Sequence, residues 1–392
     1  MKLYHQTGHN FVWNIESLAD DDAGDGLIAS PINIPRARLQ GLEDGIKQSS
    51  LFDPQYYLPK DPKGKLGTYE FFPAVLHDGL QTQDLQEVAD ESASGCVGFQ
   101  ISQGFERIII PTKFYAETPS RFLEDTEELF VEPFVRHATA NSVVPELSVT
   151  MVVKPIQVTD PEKRDELLNW LTGPLGVNGV YLIFENPSRS KQIKDATFLA
   201  GALAFIHALK LNGMHVVVGY CNTEGLLYSA ANPDGITMGS YENVRSFNAR
   251  RFEDVERGPM RGPNPRLYCG KLLQWVEHAY VGPLRELYPQ FEALVDDTVY
   301  RPLMFEPEFQ WHFNKPELYK HHFMVFSDQV LALPDDVEAR ADAIRDLAQE
   351  AVKHFDNISQ SVFLDPDSDG SHLPHWINAL ALFKKHKGEL GL

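Results

Sequence analysis

Cysteine is nearly missing from this chain. Cys96, Cys221 and Cys269 are the three in 392 residues, too few and too far apart for a disulfide framework or a CxxC metal knuckle. That scarcity points to a reducing cytoplasm. Positive charge is also scarce, with Lys+Arg 35 against Asp+Glu 55 and a formal charge of -20, so a phosphate-bearing ligand needs a local basic exception. Apolar runs such as Ile108-Ile109-Ile110 and Val216-Val217-Val218 fall far short of the roughly 20 residues that cross a bilayer, which excludes a membrane-spanning protein. The N-terminal segment holds His5, His9, Asn10, Asn14 and Glu16 before the acidic run 20–22, not a positive stretch followed by an apolar one, so no cleaved secretory signal is expected. Ser30-Pro31-Ile32-Asn33 stands where a GxGxxG fingerprint would follow a first strand, and GxxxxGK[ST], GxSxG and HExxH are absent. Dinucleotide binding, a serine triad and a metal centre are therefore disfavoured, and no cofactor is expected.

What remains is rich in core material, at 43% hydrophobic and 11% aromatic. Short β-rich runs alternate with longer amphipathic segments, the rhythm of βα units on a parallel sheet. Strands are predicted at 27–32, 50–57, 106–115, 147–158, 179–185, 214–220 and 235–239, with an eighth at 266–269 or, less favoured, 302–305. Thr159-Asp160-Pro161 supplies a cap and a first-turn proline for a helix through Trp170, and a helix over 196–211 stops at Gly213. Eight such units in 1–282 fit a (β/α)8 TIM-like barrel of the usual ~250 residues, and 283–392 reads as a C-terminal helical elaboration packed on it. A doubly wound open sheet is the structural alternative.

In such a barrel the site lies where strands end. The polar residues there are Asn33, Asp53, Gln55, Lys113, Tyr115, Glu117, Lys154, Gln157, Glu185, Asn186, Asn222, Glu224, Ser240, Glu242, Asn243 and Arg245. Asp53 precedes Pro54, which holds it extended, and could equally start a turn. Glu185 ends the run Val180-Tyr181-Leu182-Ile183-Phe184 in the same way, before Asn186-Pro187. Two carboxylates on one pocket can divide into an acid and a nucleophile or base, the requirement of glycosidic cleavage, so Asp53 and Glu185 are the expected catalytic pair. Lys154 reads as a partner for a carboxylate or an anion. Asn33, Gln55, Tyr56, Lys113, Tyr115, Lys154, Asn222, Asn243 and Arg245 are the expected substrate-binding residues.

The basic exception is the segment 245–266. Arg245, Arg250, Arg251, Arg257, Arg261 and Arg266 face Glu253, Asp254 and Glu256, a net of +3 that leaves -23 on the rest of the chain. Arginine suits bidentate phosphate recognition, and barrels often hold phosphate after the seventh strand, so Arg250, Arg251, Arg257 and Arg261 are expected to bind phosphate. An arginine–carboxylate salt-bridged loop is the other reading. Tyr56, Tyr57, Tyr115, Tyr241 and Phe247 could stack a base or a sugar.

A barrel with strand-end carboxylates and an arginine loop resembles the tRNA-guanine transglycosylase superfamily, over about 27–269, including relatives that act on DNA bases in phage-related gene islands. Gly98-Phe99-Gln100-Ile101 is similar to the glycine, aromatic, glutamine run near that family's active site. Ser94-Gly95-Cys96-Val97 stands where the family has an acidic residue, and the zinc-binding cysteines and second glycine-rich motif have no counterpart. The resemblance implies cleavage of an N-glycosidic bond to a base, with a carboxylate stabilising the oxocarbenium ion, and a part in antiviral defence. The expectation is thus a glycosylase acting on a nucleobase in nucleic acid, with a carbohydrate glycoside hydrolase and a non-catalytic binding or scaffold barrel as alternatives.

Overall fold

The computed structural model describes every residue except 82–83, 142–145, 187–189, 256–261 and 390–392. Eight parallel strands form a nearly closed barrel: β1 (Lys2–Gln6), β2 (Gly26–Ala29), β3 (Leu51–Phe52), β4 (Ile108–Ile110), β5 (Leu147–Val153), β6 (Gly179–Phe184), β7 (His215–Gly219) and β8 (Gly235–Gly239). Each pairs with its neighbours in sequence and β1 closes on β8, so the ladder runs unbroken from β3 round to β4 and opens only between those two.

The seam is bridged rather than empty. Glu106 N donates to Ser50 O (3.1 Å) at one end, and Phe114 N donates to Tyr57 O (2.9 Å) at the other. Between them the fully buried Gln100 side chain takes the place of a neighbouring strand. Its Oε1 accepts from Ile109 N (2.9 Å) and its Nε2 donates to Ile109 O (3.1 Å), the two β4 groups that face away from β5.

β1 lies outside the expected strands, and every expected strand moves one place along. Its sequence, KLYHQ, carries no apolar run, because Tyr4 and Gln6 turn into the barrel and meet polar partners there. Residues 266–269 are not a barrel strand either. They form β9 (Arg266–Cys269), antiparallel to β10 (Gln274–Glu277), in a separate hairpin. The other eighth-strand candidate falls in the helix Arg301–Met304, with Pro302 in its first turn.

Elsewhere local rules hold. The Asp160 carboxylate caps Pro161–Leu171 by accepting from Glu162 N and Lys163 N, and Asp195 caps Ala196–Leu211 likewise. Gly213 follows that helix at φ +76°, a left-handed conformation that glycine adopts without a steric cost. Inside the barrel, a Cβ on Gly219 would lie 2.4 Å from the Tyr181 hydroxyl, so only glycine lets that ring fill the interior.

The C-terminal helices cover the barrel. Pro316–Leu331 brings Phe323 edge-on to His5 at 4.6 Å, Arg340 of Val337–Ile358 donates to Ser229 O at 3.1 Å, and Leu373–Glu389 sets Phe383 against His207 at 5.6 Å. One continuous core contains Leu3, Val216, Phe323 and Phe383.

Candidate functional site

The C-terminal ends of the strands open into a cleft of about 1380 Å³. Its walls are Glu185 and Asn186 after β6, Asn222 after β7, the 242–251 segment after β8, and Gln274 and Trp275 of the β9–β10 hairpin, with Lys63, Lys191 and Arg266 at its edges.

Glu185 extends β6 by one residue, its N–H donating to Val153 O at 2.9 Å. The carboxylate is a third exposed and pairs with Lys154 Nζ at 3.3 Å. Lys154 also donates to Ala116 O (2.9 Å) and lies 4.8 Å from the Phe114 ring centre. A partly open carboxylate is thus fixed against a cation at the cleft wall.

Asp53 lies elsewhere. It is 1% exposed, inside the barrel, and does not line the cleft. Tyr57 Oη donates to its Oδ2 (2.8 Å) and Gln55 N to its Oδ1 (3.1 Å). Burial pushes the carboxyl up to about 7 against the pull of those hydrogen bonds and of Arg251. Phe247 and Phe252 roof this chamber, their rings 5.0 and 4.9 Å from that of Tyr57. Phe247 also bridges by backbone to Glu185. Of the two expected catalytic carboxylates, Glu185 therefore lines the cleft and Asp53 does not.

The other expected residues divide. Asn222 and Asn243 line the cleft, Asn222 donating to Lys191 O at 3.1 Å and the Asn243 carbonyl accepting from Arg251 Nη1 at 2.9 Å. Gln55, at φ +59°, joins the interior network, accepting from Ile32 N (3.0 Å) and donating to Tyr220 Oη (3.1 Å). Tyr56 points away and donates to Phe71 O. Lys113 lies 4.9 Å from the Tyr115 ring centre, and both line a small recess outside the cleft. Burial lowers the Lys113 ammonium and raises the Tyr115 phenol to about 12. Asn33 is partly buried, with no hydrogen bond at Nδ2, and is not a cleft residue.

The arginine segment is less exposed than its sequence suggests. Arg245 is buried and stacks on Trp275 at 3.7 Å, and burial lowers it to about 10. Arg251 is partly buried and its charge acts on Asp53, Tyr57 and Tyr220 inside the barrel, while Arg250 is exposed at the cleft rim. Arg266 is buried in β9 and pairs with Glu277 at 3.2 Å. Arg257 and Arg261 lie outside the described residues.

Glu224 and Glu242 belong to the strand-end ring, with nothing in the sequence to single them out. Burial opposes the Glu242 charge, but Lys191 at 2.7 Å and Arg245 hold its carboxyl below the usual range. Glu224 is 5% exposed, and burial raises it to about 7. Trp275 gives no signal, because its hairpin lies outside the barrel rhythm. The Gly98–Ile101 run lies on the helix Leu85–Gln103, where Phe99 joins the core and Gln100 fills the seam, away from the cleft. Among the described residues no three His, Cys, Asp or Glu side chains are grouped to hold a metal ion, and no helix is long and apolar enough to cross a membrane. No protein-family model, no curated protein and no solved structure matches the chain.

Proposed function

We propose that this chain is a glycosylase that cleaves an N-glycosidic bond to a nucleobase on a phosphate-bearing substrate, nucleic acid being the favoured form. The observation that carries the reading is the Glu185 carboxylate, held by Lys154 at 3.3 Å and opening on the same cleft as Arg245, Arg250, Arg251 and Lys191. A carboxylate at the wall can stabilise an oxocarbenium ion, while the cations hold phosphate in an otherwise acidic molecule. Phe114, Phe247 and Trp275 add aromatic surface at the same cleft. In this reading Glu185 faces the sugar, and Asp53, buried and held toward its neutral form, makes no contact with the substrate.

The test is single-turnover release of base from oligonucleotides and nucleotides by the wild-type chain beside Glu185→Gln. Release that disappears in the variant supports the reading, and no release from any substrate of either kind overturns it. A second reading, a non-catalytic binding barrel, is favoured by one observation: Asp53 is buried and does not line the cleft, which leaves Glu185 without the expected second carboxylate. It predicts oligonucleotide binding that weakens steeply with salt, without turnover.

A further inference from the structure

Glu224 opens the short helix Glu224–Tyr228 directly after β7. Its Oε1 accepts from Asn222 N at 3.0 Å, while its buried Oε2 has no hydrogen-bond partner. Arg245, 5% exposed and stacked on Trp275, likewise has no acceptor at Nε or Nη1. The Tyr228 hydroxyl beside them is also buried without a partner. An unmet buried donor or acceptor costs about 1–3 kcal/mol, so four beside one cavity mark a place built for something else. All three side chains line a recess of about 10 Å³ that shares Asn186, Lys191, Arg245 and Ser246 with the cleft. That is room for one oxygen-sized group.

We propose that Glu224 and Arg245 form a proton-coupled oxyanion subsite, in which a phosphate-class anion in the cleft places one oxygen in the recess. The oxygen accepts from the Arg245 N–H groups and from the protonated Glu224 carboxyl. The proton comes from solvent to Oε2, and no bond in the anion breaks. An ionised Glu224 would repel the anion, whereas a neutral one supplies the missing donor.

Burial supports this by keeping the carboxyl protonated up to about pH 7. The groups facing Glu224 leave it that freedom: the Cys221 thiol and Tyr228 phenol are pushed up by burial and stay neutral, and among the described residues Arg245 is the one charged group acting on it. Behind Arg245 stand Glu242, Arg266 and Tyr319, with Lys191 on Glu242. The inference rests on the reading that the cleft takes a phosphate-bearing substrate, and it names the group that holds the phosphate.

Inorganic sulfate is the probe, since it has no proton to lose near neutrality. Calorimetry in buffers of different ionisation enthalpy should show close to one proton taken up per sulfate at pH 8 and almost none at pH 6, with affinity falling about tenfold per pH unit above 7. Glu224→Gln, whose amide still donates, should bind sulfate equally at both pH values without uptake. Competition by a nucleoside monophosphate, but not by a single-stranded oligonucleotide, assigns the subsite to a terminal phosphate; the reverse assigns it to a backbone phosphodiester. No sulfate binding at pH 6, a pH-independent wild-type affinity, or uptake that persists in Glu224→Gln overturns the proposal. If it falls while base release still depends on Glu185, the glycosylase reading stands. Proton-coupled sulfate binding without base release from any substrate has the opposite meaning: the subsite stands and the glycosylase reading falls.

Discussion

Glu185 and Asp53 are both strand-end carboxylates, and their surroundings assign them different work. Lys154 and the open cleft keep Glu185 available to a substrate, whereas Tyr57, Gln55 and the Phe247 roof hold Asp53 in a chamber where burial favours its neutral form. If Glu185 stabilises the developing cation, Glu185→Gln should lower the single-turnover rate about 10²-fold, roughly 2.7 kcal/mol, with ground-state binding little changed. Asp53→Asn keeps an acceptor for Tyr57 and removes the charge. It should stabilise the fold by more at pH 8 than at pH 5, because the unfolded carboxyl ionises near pH 4 and the folded one only near 7. Urea titrations at the two pH values check this, and equal effects at both would mean that folding leaves the Asp53 carboxyl unshifted. Near-native rates in both variants would eliminate carboxylate catalysis.

At the level of elements, the β4 edge depends on a side chain. Replacing Gln100 by Leu leaves Ile109 N and Ile109 O buried without partners, at about 1–3 kcal/mol each, so the variant should lose roughly 2–6 kcal/mol in denaturant unfolding. A loss below about 1 kcal/mol would mean that the seam closes by other means. The arginine segment also divides by element. Arg250→Ala should weaken oligonucleotide binding and lower the salt slope by about one at little cost in stability. Arg251→Ala should destabilise as well, because its guanidinium ties the Asn243 carbonyl and faces Asp53. Equal melting temperatures for the two variants would contradict that division. Seven of the eight barrel strands are legible in the sequence, because their apolar runs outlast their turns. β1 is hidden, since its inward Tyr4 and Gln6 break the apolar pattern, and Arg266 reads as a barrel residue because β9 carries the same Leu-Tyr-Cys signal as a barrel strand. Asp53 and Glu185 can be picked out from position alone. Phe247 can be picked out only as an aromatic near the mouth; its packing on Tyr57 cannot be, since one phenylalanine in a loop announces no partner.

The whole molecule gathers buried titratable groups of two kinds, and their opposition shapes its response to pH. Asp53 and Glu224 are both raised to about 7 by burial. Their folded forms hold protons that the unfolded chain releases near pH 4, so the stability they contribute is complete in acid and is lost as pH rises from about 4 through 7. His5 and His321 are lowered by burial to about 4, His372 to about 3, and His322 well below its usual value. These stay neutral when folded while the unfolded chain gains protons below about 6.5, so their contribution is complete above that pH and is lost on acidification. Each group contributes at most about 1.4 kcal/mol per pH unit. Between about pH 4 and 6.5 both kinds act, and four histidines outweigh two carboxyls, so stability should climb with pH there and level off near 7, where the two sets finish titrating. Urea midpoints from pH 4 to 9 check this. In the double variant Asp53→Asn, Glu224→Gln these two opposing carboxyls are gone, so its climb should be steeper than that of the wild type, and its advantage should grow up to about pH 7 and stay constant beyond. An advantage that is the same at pH 5 and pH 8 would show that these two carboxyls are not held neutral in the fold.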